Sequence, residues 1–201
     1  MKTPKLILAS ASPRRREMLR MLGVEFTVLH GNVDENPLDG ESPETYALRL
    51  SEAKARAVAA TRPGRWVLGA DTIVTIDGEL LGKPATRDEA RGMIRKLSGR
   101  AHTVITAFTL FNSEQAEPIR RAVSSQVLFK EIPEDELEWY VATDEPYDKA
   151  GGYAVQGKAA VLVSEVHGSW TNVVGLPLCE VVEALKELGL ADFTRRDACP
   201  R

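Results

Sequence analysis

An α/β fold, a β-sheet with helices on both sides, is predicted by three observations. Short apolar runs of strand type alternate with amphipathic helical stretches, and an Asp77-Gly78 pair stands between two β-rich runs as a hairpin turn. A chain of 201 residues with 43% hydrophobic content can also bury the core of one large domain, or of two small lobes sharing a sheet. A net charge of −3 argues against a nucleic-acid surface, which needs a broad basic field. An anionic ligand would therefore be small and held in a cleft.

The elements follow in order. Lys5 to Ala9 reads as a strand, and Ser12 with Pro13 as a helix start, the hydroxyl at N-cap and the proline at N1. A strand entering a serine-bearing turn and then a helix leaves unpaired N–H groups where an anion such as phosphate is favoured. At about 100° per residue, Met18, Leu19 and Leu22 share a face with Arg15, and Arg14 lies at its edge. Ser12 is thus either a plain cap or part of an anion-binding turn, with Ser10 able to donate to the same anion. Guanidinium groups beside a buried stripe call for an anionic partner.

After Gly23, Glu25 to His30 reads as a strand, and the polar loop that follows carries Asp34 and Glu35, residues that such a loop usually just solvates. From Pro43 to Ala60 the pattern is helical, capped by Ser42, with Tyr46, Leu50, Ala53 and Ala57 as the inner stripe and Ala47 and Val58 beside it. Lys54 falls on that inner side. It is either a snorkelling lysine or the partner of a buried charge.

Trp66 to Leu68 reads as a buried strand that delivers Asp71 at or near its end. Closing the hairpin pairs Ile76 with Glu79 and Val74 with Leu81, and continuing that register sets Lys83 opposite Thr72, beside Asp71. A carboxylate after such an apolar run must be paired, hydrogen-bonded or bound to a metal. A plain Asp71 to Lys83 salt bridge is one reading and a functional carboxylate the other. Thr86 opens a third helix with Glu89 in a capping box, Thr103–Phe111 and Val123–Lys130 read as neighbouring strands, and Pro133–Ala142 as a helix. The loop from Thr143 to Lys158, with Asp144, Glu145, Asp148, Lys149 and Gln156, is long enough to suggest function. Val161–Val166 reads as a strand, HGSWTNVVG as a connection, and Pro177–Leu188 as a helix whose Leu178, Val181, Val182, Leu185 and Leu188 face the core.

Cys179 and Cys199 provide neither a disulfide framework nor a zinc spacing, and His30, His102 and His167 read as ordinary residues. The opening MKTPKLILAS has an apolar run too short for a signal peptide or a span, so a cytoplasmic protein without membrane association is expected.

Taken together, SASPRRREML, GADTIV with its GKP, LSGRAHTVITA, DEPYDKAGGYAVQG and NVVGLP resemble, in order and at fitting intervals, the Maf family of nucleoside triphosphate pyrophosphatases. The likeness runs from about Lys5 to Leu188. It implies an extended mixed sheet flanked by helices, two lobes around a central cleft, kinship in shape with inosine triphosphate pyrophosphatases, and often a homodimer. One domain over 1–190 and a tail over 191–201 are expected. The resemblance further implies hydrolysis of a nucleoside triphosphate to the monophosphate and pyrophosphate with a divalent metal, Mg²⁺ or Mn²⁺. Residue by residue, it marks Asp71 as catalytic, Glu35 and Asp71 as metal-side carboxylates, and Ser10, Arg14, Lys54 and Lys83 as phosphate ligands. Arg15 joins that cationic set from its place beside Arg14. Within the family, Arg14, Thr72 and Gln156 match the subgroup acting on dTTP and UTP, whose role is house-cleaning of nucleotide pools with a link to cell division arrest. The alternatives are a non-catalytic nucleotide-binding regulator of septum formation and a purine-directed enzyme acting on 7-methyl-GTP.

Overall fold

The computed structural model describes residues 5–115 and 117–191. The expected tail, Cys199 included, lies outside the described residues from Asp192 onward. Seven strands form one mixed sheet: β1 (Leu6–Ala9), β2 (Phe26–Val28), β3 (Trp66–Ile76), β4 (Glu79–Leu81), β5 (Ala101–Phe111), β6 (Ile119–Phe129) and β7 (Val163–His167). Their order is β2-β1-β3-β5-β6-β7, with β4 paired to β3. The helices are α1 (Pro13–Met21), α2 (Pro43–Ala59), α3 (Arg87–Leu97), α4 (Glu134–Val141), α5 (Trp170–Val174) and α6 (Leu178–Glu187). None of the described helices is long and apolar enough to cross a membrane.

The chain divides into two compact units. The first holds the described residues up to Asp71, Ala107–Ala122, and those from Gly175 onward. Here β1 runs parallel to β2 and to β3, Leu6 standing between Phe26 and Trp66. Both faces of β1 are covered, so all four of its residues are buried. Ile7, Ala9, Val67, Ala55, Val58 and Ala59 form a cluster against which Leu29 and Phe111 pack.

Helix α2 buries Ala47, Leu50, Ser51, Ala55, Val58 and Ala59, a stripe rotated from the expected one; Tyr46, Ala53 and Ala57 are only half-buried. Polar Ser51 can face the sheet because its hydroxyl donates to Leu48 O at 2.8 Å and lies 2.8 Å from Thr109 Oγ1. In α6 a similar shift buries Ala184 and leaves Val182 and Leu188 half-buried.

The second unit comprises Thr72–Thr106 and Val123–Val174. The hairpin closes in the expected register, Val74 with Leu81 and Ile76 with Glu79. Asp77 and Gly78 have φ of 53° and 79°, the left-handed pair that a type I′ turn requires. Thr86 caps α3 by accepting from Glu89 N, while Glu89 reaches back to Ala85 N. Where a plain connection was expected, residues 170–174 form α5: Ser169 Oγ accepts Asn172 N–H at 3.2 Å and caps the turn. Asn172 then stitches the turn to β5, its Oδ1 accepting Thr106 N–H and its Nδ2 donating to Val104 O.

His102, read from sequence as ordinary, is buried with its ring edge-on to Phe129 and Tyr153, and its Nε2 lies 2.7 Å from the Tyr153 hydroxyl. Burial depresses its pKa from 6.5 to about 4. Between those values the unfolded chain binds the proton and the folded one does not, so stability is lost as pH falls from about 6.5 toward 4. The expected contribution at pH 4.5, relative to pH 7, is a loss of about 2 to 3 kcal/mol. Urea midpoints at the two pH values measure it, and His102→Gln should flatten the dependence; an unchanged slope in the variant would show that other groups carry it.

Candidate active site

In the first unit, the turn between β1 and α1 is built around one hydroxyl. Ser10 Oγ accepts the N–H of Ser12 at 3.2 Å and Nη1 of Arg15 at 3.2 Å. Both partners can only donate, so the oxygen's lone pairs are committed and the hydroxyl proton is left to point at an acceptor. Ser12 holds the N-cap position but makes no side-chain cap, contrary to the expectation of a capping hydroxyl. Its amide serves Ser10 instead.

Arg15 is more a strut than an outstretched ligand. Its Nε donates to Gly175 O at 2.7 Å, and its Nη1 also donates to Ala70 O at 2.8 Å. Burial pushes this guanidinium below its ordinary pKa, the Asp71 charge opposes the fall, Arg14 adds to it and Glu35 opposes it. Arg14 is half-buried beside it.

The centre is Lys54. Its ammonium lies 2.6 Å from Asp71 Oδ1 and 2.7 Å from Glu35 Oε1, with the three side chains 17%, 12% and 53% exposed, respectively. Gly69 makes this contact possible: a Cβ there would stand 2.2 Å from Ser51 O and 2.7 Å from Ala55 N, so α2 rests directly on the backbone of β3. Asp71 is two residues further on, hence on the same face of the strand. Lys54, adjacent to Ala55, reaches it.

Asp71 is not at the end of its strand, as expected, but inside an 11-residue one. The strand continues because the hairpin partner β4 pairs with its far half. Nor is a plain bridge to Lys83 the ion pair found at Asp71; Lys54 makes it, and Lys83 stands exposed beyond the last paired residue of β4.

Glu35 comes from a loop that α2 holds down. The Tyr46 hydroxyl donates to Glu35 O at 2.6 Å; Arg49 donates to Asn36 O at 3.0 Å and grips both carboxylate oxygens of Glu41 at 2.7 and 2.8 Å. Burial first, then the charges of Asp71 and Glu35, push the Tyr46 pKa up and keep it a donor. Tyr46, Arg49, Gly69 and Gly175 were not marked from sequence. A tyrosine in an apolar stripe, whose hydroxyl needs a partner, and a glycine inside a strand were the available signals.

Glu35 and Asp71 thus converge on one cation. Among the described residues, no group of three or more His, Cys, Asp or Glu forms a metal cage. Two carboxylates fit a hard ion such as Mg²⁺, which keeps waters and takes phosphate oxygens, and do not fit a structural zinc.

Thr72, Lys83 and Gln156 belong to the second unit. Thr72 Oγ1 is 2.9 Å from Thr106 Oγ1, which donates its only proton to Asn172 O at 2.8 Å; Thr72 is therefore the donor of that pair. Gln156 is the exposed tip of a turn closed by Gly157 N–H to Ala154 O at 2.9 Å. Gly151 N–H donates to Gly82 O at 3.0 Å and so fixes the same loop beside Lys83.

The family described as Maf-like protein matches residues 5–188. Among curated relatives, the dTTP/UTP pyrophosphatase of Syntrophus aciditrophicus (strain SB) is 54% identical over 194 residues, 96% of this chain and 95% of that protein. The dTTP/UTP pyrophosphatase of Geobacter sp. (strain M21) is 50% identical, covering 94% and 98%. The solved Staphylococcus aureus Ham1 protein aligns at a TM-score of 0.49 and 12% identity over 92% of this chain and 98% of that one.

Because α2 and β3 touch through backbone at Gly69, Gly69→Ala should force them apart and cost about 1 to 3 kcal/mol, as overpacking does. Urea unfolding measures this. A variant as stable as wild type would show that the contact can relax at no cost.

Proposed function

As the chain belongs to the Maf family, we propose that it hydrolyses dTTP and UTP to the monophosphate and pyrophosphate, in house-cleaning of the nucleotide pool. The observation that carries this reading is the Glu35, Lys54, Asp71 cluster. Residues 1–190 act as one catalytic domain, since the family match spans both units. The cysteine pattern, without a disulfide framework, supports a cytoplasmic setting.

A nucleoside triphosphate brings about four negative charges, and attack of water at the α-phosphorus moves more charge onto its oxygens. Ser10 donates its remaining proton to a phosphate oxygen, while Arg14, Lys54 and Lys83 supply fixed positive charge. Arg15 holds Ser10 and the turn in place. Glu35 and Asp71 would hold a divalent ion, Mg²⁺ or Mn²⁺, which when bound supplies further charge stabilisation at the phosphate oxygens. Asp71 orients the attacking water and accepts its proton. Lys54, paired to both carboxylates, holds Asp71 in position for that task.

Base choice is assigned to Gln156, with Arg14 and Thr72 as the accompanying subgroup residues. Uracil and thymine present an N–H between two carbonyls, and an amide can accept from the first and donate to one of the others. The exposed position of Gln156, on a turn fixed from both sides, supports that role.

Pyrophosphate release from a panel of nucleotides with Mg²⁺ and with Mn²⁺ tests the proposal; no release from UTP or dTTP would overturn it. Asp71→Asn preserves shape and should lower turnover by about two orders of magnitude or more while a non-hydrolysable UTP analogue still binds. Gln156→Glu removes a donor and faces a carbonyl with a carboxylate. It should cost about 1 to 3 kcal/mol, roughly 5- to 150-fold in kcat/KM for UTP and dTTP, and much less for 7-methyl-GTP. A uniform fall across nucleotides would assign Gln156 to loop shape alone.

A further inference from the structure

The loop that carries Gln156 is held by a carboxylate with no assigned role. Glu145 follows α4, and its side chain crosses to the far end of the loop. Oε2 accepts Lys158 N–H at 2.7 Å and Oε1 accepts Ala159 N–H at 3.0 Å. The hydroxyl of the buried Tyr140 lies 3.2 Å from Oε1 and 3.0 Å from Gly152 O. Room for the carboxylate exists because residue 157 is glycine: a Cβ there would fall 2.2 Å from Oε2 and 2.6 Å from Cδ.

These contacts bear on Gln156 from one side, and the Ala154 to Gly157 turn closes it from the other. Ala154 and Val155 are buried, Gln156 and Lys158 are exposed, and the amides of Lys158 and Ala159 are fixed by Glu145. Each amide needs an acceptor, and the two oxygens of one carboxylate meet both at once. Such a bridge fixes where the turn points as well as satisfying the amides. Glu145 defines it because its own backbone is tied down, its carbonyl accepting Lys149 Nζ at 2.9 Å.

We propose that Glu145 is a positioning residue for base selection: it sets the direction of the Gln156 turn and so tunes recognition of the pyrimidine without touching it. The inference rests on the reading of Gln156 as the residue that meets the base. Glu145→Gln is close to isosteric but turns an NH₂ group toward a backbone N–H, donor against donor, and so reorients the turn. Gly157→Ala displaces the same carboxylate from the opposite direction.

Two measurements separate positioning from general support. One is KM for UTP, and the other is the inhibition constant of inorganic pyrophosphate, a ligand with no base. Glu145→Gln should raise KM for UTP by about tenfold and leave pyrophosphate inhibition unchanged within about twofold, the split expected when only base contacts are lost. Gly157→Ala should give the same split, and it serves alone if Glu145→Gln does not fold. In a Gln156→Ala background, Glu145→Gln should add nothing, because the two act through one contact. Parallel changes in KM and in pyrophosphate inhibition, no change in KM, or full additivity with Gln156→Ala would each overturn the role of Glu145. If Gln156→Ala itself leaves KM for UTP unchanged, the reading of Gln156 fails first, and the inference falls with it.

Discussion

The first unit depends on one ammonium group shared by two carboxylates. Lys54 is mostly buried, as is Asp71, and each offsets part of the cost of burying the other. Glu35 joins them from a loop and remains half in water. The arrangement leaves one cation for two anions, a surplus of negative charge at a place otherwise rich in arginine. Such a cluster is well placed to accept either an additional cation at the carboxylates or an anion at Lys54 and its neighbours, and a nucleotide with its divalent ion brings both.

Several unremarkable groups support this pair. Gly69 lets α2 lie on β3, Ser51 offsets the burial of its hydroxyl by bonding within its own helix, and Tyr46 with Arg49 pins the Glu35 loop. Arg15 links Ser10, Ala70 O and Gly175 O, three places far apart in sequence. Removal of Gly69, Tyr46 or Arg49 would act on the site through geometry, since each acts on the backbone that carries Asp71 or Glu35.

In the second unit the same economy appears with different chemistry. Buried polar groups are fully used around Asn172, which bonds through Oδ1, Nδ2 and its carbonyl, and the direction of each proton follows from partners that can only accept or only donate. Glu145 does for the loop what Asn172 does for α5. Each replaces backbone ladder bonds that an irregular segment cannot make for itself.

Local signals in the sequence determined the β1 turn and helix, the hairpin register from Asp77-Gly78, and the caps at Ser42 and Thr86, because each depends on residues a few positions apart. The same local logic marked Arg15, Lys54 and Asp71 as charges placed where burial needs a partner, and the motifs that carry the family likeness extended the list to Glu35. Only the tertiary structure decided which partner each one takes. Asp71 pairs with Lys54, whereas the hairpin register pointed to Lys83; the pairing is set by how closely α2 can approach Gly69, a distance no periodicity encodes. The rotation of the α2 stripe and the short helix at Trp170–Val174 were equally out of reach, since both turn on buried polar groups, Ser51 and Asn172, that meet partners lying far off along the chain, Thr109 for the first and Val104 and Thr106 for the second.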